Sequence, residues 1–294
     1  MAANRTGSGA RPPAPGTHEI SIDGARLIYH VAGQGPVCVA HPGGPGLYWA
    51  YLRSPELEAH FTVVYVEPVG TGRSGRLPRY GLNTYVRFLA ALIEHLDQPI
   101  HLLGHSYGGF VAQSYALARP ERLAGLALYS TSPEAGPVFW SEGMTALASH
   151  PHRHPGVPEA AAVPAAFEQA LVATDDDSMS RAFTAALPGY FADFYARKDE
   201  FAAFQATVWM SSQAATAPDP VPFDVSDRLS EIAVPTVVII GEQDFLCGPR
   251  WGSLLGTGIP DAQMHLLTES GHFAHIEQPG PFAAAVSALR AASS

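Results

Sequence analysis

Residues 99–119 read PIHLLGHSYGGFVAQSYALAR: an apolar run, then GHSYGG at 104–109, then a stretch with the character of a helix. One hydroxyl, Ser106, stands between glycines at the corner where a buried strand becomes that helix. Gly104, Ser106 and Gly108 meet the pattern G-x-S-x-G. Small neighbours suit such a corner, because the serine sits in a strained turn with backbone pressed close around it. The start of the following helix carries partial positive charge, which favours an anion forming beside it. An ordinary glycine turn is the competing reading. The strand before and the helix after favour a nucleophilic serine.

A serine hydroxyl is a weak nucleophile until a base takes its proton, and the base needs a partner that orients it. In the fold class that carries such a serine on a strand–helix turn, the chain order is Ser, then acid, then His. Asp244 ends PTVVIIGEQD (235–244), and His272 follows AQMHLLTES (262–270). Both sit at strand C-termini, on the edge that carries Ser106. Glu242 is a rival acid that reads better as marking the strand's end, and His275 is a rival base that falls on the next turn. The remaining eleven histidines read as packing or surface residues. HPGGPG (41–46) directly follows the strand-like PVCVA. Its adjacent glycines allow backbone N–H groups to point into the site, as the oxyanion of a tetrahedral intermediate requires. Gly44 N–H is the expected donor together with Tyr107 N–H, with Gly43 competing for the role and a plain turn as the bland reading.

The rhythm on either side of these motifs sets the fold. HEISIDGARLIYHVAG (18–33) alternates about Asp23-Gly24, a hairpin with a two-residue turn. PVCVAHPGG (36–44), FTVVYVEPVG (61–70) and LAGLALYST (123–131) are apolar runs that suit strands covered on both faces. Asn83 is placed to cap TYVRFLAALIEHLD, where Val86, Leu89, Leu92 and Leu96 recur at helical spacing. From 133 to 226 the strand rhythm lapses, and FEQALVAT, RAFTAALPGYFADFYA and EFAAFQATVWMSSQAA read as helices. Strands then return, and PFAAAVSALRAA closes the chain as an amphipathic helix. The expected fold is α/β: a mostly parallel central sheet flanked by helices, with a helical cap inserted after the sixth strand. Ligand crevices of open α/β sheets lie at the strands' C-terminal edge, beneath such a cap. The expected division is a disordered tail at 1–17, a core at 18–132 and 227–294, and a cap at 133–226.

Bulk properties narrow the function classes. The chain has 294 residues, 47% of them hydrophobic, and a formal net charge of -10. That charge, with no basic block to offset it, weighs against nucleic acid and anionic membranes as partners. No apolar run approaches the ~20 residues of a membrane span. Cys38 and Cys247 cannot make a disulfide framework, which fits a reducing, cytoplasmic setting. MAANRTGSGARPPAPGT lacks the apolar centre of a signal peptide. GTGRSG (70–75) matches G-x-G-x-x-G, but loop-like RLPRYGLN follows it rather than a helix, against a dinucleotide site. HPHRH (150–154) alternates three histidines between prolines, which reads as an exposed loop rather than a metal site. A small-molecule substrate is expected, with no cofactor and no metal. The sequence carries no signal of oligomeric state.

With these residues placed, the chain resembles the α/β-hydrolase superfamily, and within it the proline iminopeptidase-like hydrolases. G-G-P-G at 43–46, G-T-G-R-S at 70–74, G-H-S-Y-G-G at 104–109, G-x-x-D at 241–244 and G-H at 271–272 carry the likeness, which runs from residue 18 onward. It implies a serine hydrolase whose triad is Ser106, Asp244 and His272. Departures bear on the substrate. Pro42 intervenes between His41 and G-G-P-G, Glu67-Pro68-Val69 stands where the iminopeptidases show D-Q-R, and Tyr107 where they show Trp. Those enzymes hold the substrate's amino group with cap Trp and Glu residues; here Glu168, Asp193 and Glu200 read as solvated helix faces. The expected reaction is hydrolysis of an ester, lactone or thioester of a small, largely apolar substrate. Release of N-terminal proline is the alternative, and a non-catalytic small-ligand binder a second one, which the intact Ser–Asp–His set weighs against. Aromatic character makes Trp209, Phe191 and Tyr195 the candidate substrate contacts.

Overall fold

The computed structural model describes residues 12–215 and 222–292. Among them, eight strands form one sheet: β1 (Gly16–Ile22), β2 (Ala25–Gly33), β3 (Val37–His41), β4 (Thr62–Glu67), β5 (Ile100–His105), β6 (Leu123–Tyr129), β7 (Thr236–Gly241) and β8 (Gln263–Leu267). Their order is β1-β2-β4-β3-β5-β6-β7-β8. β2 pairs antiparallel with β1 and β4, and every other pairing is parallel. Ile22 faces Ala25, leaving Asp23 and Gly24 as the hairpin turn. Both have positive φ, 50° and 80°, which is the twist-matched two-residue geometry. Residues 1–11 of the expected tail lie outside the described residues, and β1 begins at Gly16, inside its expected limit of 17.

β3 through β7 are buried along almost their whole length because both faces are covered. Cys38, Val63, Leu103, Ala127 and Ile239 point to one core, and Val39, Val64, Leu102, Leu126 and Val238 to the other. On the second face lie α1 (Leu82–Leu96) and α2 (Tyr107–Ala118), joined there by a later helix through Leu255. α1 buries Leu89, Leu92 and Leu96 as its spacing predicts, but its N-cap is Gly81. Asn83 lies inside the helix, because the chain has already turned at Gly81, whose carbonyl takes the Thr84 N–H at 3.0 Å.

After β6 the chain becomes helical, with α3 (Pro137–Ala148), α4 (Val163–Val172) and α5 (Asp176–Ala186). Here the structure departs from the helices expected from sequence. α3 occupies a stretch where none is expected. α5 gives way at Leu187–Tyr190 to a tighter turn around Pro188, which has no N–H for the helical ladder. The expected helix over 200–215 reduces to single turns at Ala202–Gln205 and Ser212–Ala215. Phe191, Phe194, Phe201 and Phe204 gather there into one aromatic cluster, and that packing overrides local propensity. α6 (Pro249–Gly258) and α7 (Pro279–Ser287) complete the layers, α7 packing on the first face through Phe282, Ala285 and Val286. Among the described residues no helix is long and apolar enough to cross a membrane.

The elbow at the end of β5 depends on missing side chains. A Cβ on Gly104 would strike the Gly108 carbonyl, and one on Gly108 would strike the His41 carbonyl at the end of β3. Both obstacles are backbone, which cannot rotate away. Gly108→Ala should therefore destabilise the protein by about 1–3 kcal/mol. A lower urea midpoint at unchanged m-value is the expected reading.

Candidate active site

Ser106 leaves β5 with φ 54° and ψ −121°, a conformation that costs a residue with a Cβ about 1–3 kcal/mol. Three hydrogen bonds hold it there. Its N–H donates to the Tyr129 carbonyl at 2.9 Å, and its carbonyl accepts from Gly109 N–H and Thr131 Oγ1, each at 2.8 Å. The hydroxyl stands at the start of α2, and Tyr107, next in sequence, is that helix's first residue.

Asp244 lies just beyond β7 and His272 just beyond β8. His272 Nδ1 is 2.7 Å from Asp244 Oδ2, with both side chains buried. Oδ1 of the same carboxylate accepts Leu246 N–H at 3.0 Å and Cys247 N–H at 2.9 Å. Burial alone would raise the Asp244 pKa; the neighbouring His272 and these N–H donors outweigh it and hold the carboxyl below its usual range. An ionised carboxylate only accepts, so Nδ1 of His272 carries the proton and Nε2 is left as the basic nitrogen. The His272 backbone is fixed as well, its N–H donating to the Tyr190 carbonyl at 2.7 Å.

Ser106 and His272 line one cavity of about 350 Å³, together with Gly43, Gly44 and Tyr107. Its walls come largely from the helical insertion: Phe139, Trp140, Phe167, Leu171, Met179 and Phe183 are among them. Among the described residues the lining contains no Lys, Arg, Asp or Glu. Of the two glycines proposed as oxyanion donors, Gly43 already gives its N–H to Tyr51 Oη at 2.7 Å. Gly44, with φ +121°, faces the cavity beside it.

The three substrate contacts suggested by aromatic character lie elsewhere. Phe191 is buried against Phe194, Phe201, Phe204 and Phe273. Tyr195 Oη is 3.0 Å from His150 Nε2. Trp209 packs edge-on to Tyr48, and its carbonyl accepts the Tyr48 N–H. Trp140 and Leu171, which the sequence reading passed over, line the cavity instead, and both are partly exposed to solvent.

The remaining motifs also find their places. Glu67 is fully buried; it accepts Ser74 N–H at 3.0 Å and Arg73 N–H, and meets His30 Nε2 at 2.9 Å. Burial raises its pKa, but His30 and the two N–H groups lower it further, and the net shift is downward. GTGRSG is thus a turn gripped by a carboxylate, with the amides of Gly70, Thr71, Arg73, Ser74 and Gly75 taken by acceptors of the protein itself. HPHRH is a helical turn over His150–Arg153 rather than an exposed loop. His150 is buried there, and burial first, then His154 and Arg153, lowers its pKa to about 4. Asp244, Cys247 and His272 bring potential ligand atoms within 4.8 Å of one another. Asp244 and His272 are already bonded to each other, however, and burial with the Asp244 charge pushes the Cys247 thiol well up, so it stays protonated.

A serine raised on a strand–helix elbow, beneath a helical insertion and beside a buried acid–histidine pair, is the architecture of a hydrolase. The chain belongs to the alpha/beta hydrolase family, whose profile matches residues 37–285. It is 30% identical over 262 residues to the 2-hydroxy-6-oxononadienedioate/2-hydroxy-6-oxononatrienedioate hydrolase of Cupriavidus pinatubonensis, over 85% of each chain. It is 25% identical over 272 residues to proline iminopeptidase PfmaB of Pestalotiopsis fici, over 88% of this chain and 94% of that one. Among solved structures, the enol-lactonase of Burkholderia xenovorans LB400 superposes with a TM-score of 0.70 over 93% of this chain and 100% of that one. At 19% identity that likeness speaks to the fold alone.

One buried acid near the site escaped the sequence reading. Glu277 accepts Gly271 N–H at 2.6 Å through one oxygen and Ala192 N–H at 2.8 Å through the other, tying the His272 loop to the helical insertion. Burial raises its pKa to about 7 against those donors and Arg197. A raised carboxyl contributes stability in full below its unfolded pKa and loses it as pH rises through the folded one. Glu277→Gln should lower Tm throughout, since one N–H loses its acceptor. It should also flatten the decline in Tm from about pH 5 to about pH 8 relative to wild type. Parallel curves would show that Glu277 does not titrate in that window.

Proposed function

We propose that the protein is a serine hydrolase that cleaves a neutral ester, lactone or thioester of a largely apolar acyl group through an acyl-enzyme. The observation that carries this reading is a single apolar cavity containing both Ser106 on its strained elbow and His272, oriented by Asp244. In this reading His272 Nε2 takes the Ser106 proton as Oγ attacks the carbonyl carbon, and Asp244 stabilises the imidazolium that results. Gly44 N–H and Tyr107 N–H hold the oxyanion, the latter helped by the positive end of α2. The imidazolium protonates the leaving group. Water, deprotonated by the same nitrogen, then releases the acid and regenerates Ser106. The cap, taken as 133–226, supplies most of the acyl pocket.

The charge of the lining separates this reading from those the relatives suggest. The Cupriavidus relative is named for a dioate, and two buried carboxylates call for cations. The lining has neither Lys nor Arg among the described residues. A prolyl amine calls for a carboxylate instead. Glu168, Asp193 and Glu200 are all exposed, and none of them lines the cavity.

Trp140, 40% exposed, and Leu171, 52% exposed, carry the apolar lining out to the surface. On p-nitrophenyl esters of increasing chain length, kcat/KM should climb about fourfold per methylene while each one is buried. It should flatten once the tail passes these two residues, and Trp140→Ala should weaken only the longer esters. Ser106→Ala should cost about 10⁶ in kcat and abolish labelling by a fluorophosphonate. Labelling that persists in that variant rules out Ser106 as nucleophile. A wild-type protein that binds esters without labelling or turnover is a binder, and fast turnover of proline amides alone reverses the substrate ranking.

A further inference from the structure

Behind the cavity floor, buried side chains connect the loop after β3 to the loop after β8. Tyr51 Oη accepts Gly43 N–H at 2.7 Å and lies 2.6 Å from His105 Nδ1; His105 Nε2 lies 3.0 Å from the His272 carbonyl. Chemistry assigns the protons. A carbonyl only accepts, so His105 Nε2 carries hydrogen. Burial, then the nearby His272 and His275, holds the His105 pKa well down, so the ring is neutral and its Nδ1 bare. The Tyr51 O–H therefore donates to Nδ1. On the other side, His275 Nε2 donates to the Tyr51 carbonyl at 2.8 Å, and its Nδ1 accepts Tyr129 O–H at 2.9 Å. Tyr51 is thus held by its backbone and its hydroxyl, with its ring packed edge-on to Phe204 and Phe273.

We propose that Tyr51 is a positioning residue for acyl transfer at Ser106: its hydroxyl takes the Gly43 N–H and clamps residues 43–46 against the nucleophile, leaving Gly44 N–H as that loop's oxyanion donor. The inference rests on the acyl-enzyme reading above. Gly43 touches the elbow directly, since a Cβ built on it would lie 2.9 Å from Ser106 Cβ and 3.2 Å from Tyr51 Oη. An oxyanion donor must sit within about 2.7–3.1 Å of the developing charge, so a small tilt of this loop reaches the chemistry. Tyr51 also ties that tilt to the His272 carbonyl through His105, so one network sets the donor, the nucleophile's flank and the base.

Tyr51→Phe keeps the ring and removes only the hydroxyl. On a p-nitrophenyl ester its kcat should fall about 10–100-fold, less than the 10²–10³ that follows outright loss of a donor. KM should change little, with Tm well above the assay temperature. Affinity for a trifluoromethyl ketone, which forms a tetrahedral adduct on Ser106, should fall by the same factor. His105→Leu, which strands the Tyr51 O–H, should behave alike, and the double variant should lose no more than the worse single one. Wild-type protein gives an independent reading by NMR. Gly43 N–H should exchange slowly in the free enzyme, and Gly44 N–H, not Gly43, should shift when the ketone binds. A change confined to KM, unaltered ketone affinity, additive losses, or a ketone shift at Gly43 overturns the proposal. Wild-type protein that neither turns over the ester nor forms the adduct instead removes the acyl-enzyme reading beneath it.

Discussion

Two stretches of backbone in contact govern the rest of the molecule: Gly108, on the first turn of α2, rests on the His41 carbonyl where β3 ends. β3 and β5 are parallel neighbours with His41 opposite Gly104, so the chain leaves both strands side by side. The loop of consecutive glycines and the strained serine are therefore adjacent because of ladder register, before any side chain is considered. Ladder hydrogen bonds along β5, β6, β7 and β8 then set the distance from Ser106 to the two loops that present Asp244 and His272. Relaxing the contact at Gly108 would loosen a geometry that no single side chain maintains.

The helical insertion is fastened to this frame at the loop that carries His272. The Tyr190 carbonyl takes the His272 N–H, and a Cβ on Gly271 would strike that same carbonyl. Glu277 bridges Gly271 and Ala192. The segment that shapes the cavity and the loop that orients the imidazole are consequently one packed unit. A shift of either is transmitted to the other through short, buried hydrogen bonds.

What could be read in advance follows from how local each signal is. Strands buried on both faces announce themselves as apolar runs, and the Asp23-Gly24 hairpin by its turn residues. The elbow and the paired Asp244 and His272 are legible as positions because each follows a strand and strand polarity puts them on one edge. The cap is less so. Alanine and phenylalanine over 181–215 satisfy helical spacing, yet Pro188 and the clustering of four phenylalanines break the helices. Which aromatic faces the cavity is decided by packing between segments far apart in sequence, so Trp140 and Leu171 rather than Phe191, Tyr195 or Trp209 form the wall. His105 reads as a packing histidine, and its position beside Ser106 on a buried strand is the one hint of more. Tyr51 lies 54 positions from His105 and carries no local pattern at all.

A lining without Lys, Arg, Asp or Glu among the described residues also bears on how the proposed acyl-enzyme cycle would end. Hydrolysis of an acyl group yields a carboxylic acid, which ionises near neutral pH. Under the proposal above, a cavity that takes in a neutral acyl chain offers the new anion no Lys or Arg among the described residues, and desolvating a carboxylate in such surroundings is costly. In that reading the product would be driven out past Trp140 and Leu171 into water by its own change of charge. Under the proposed reaction, the polarity that favours the substrate would also limit inhibition by the acid released.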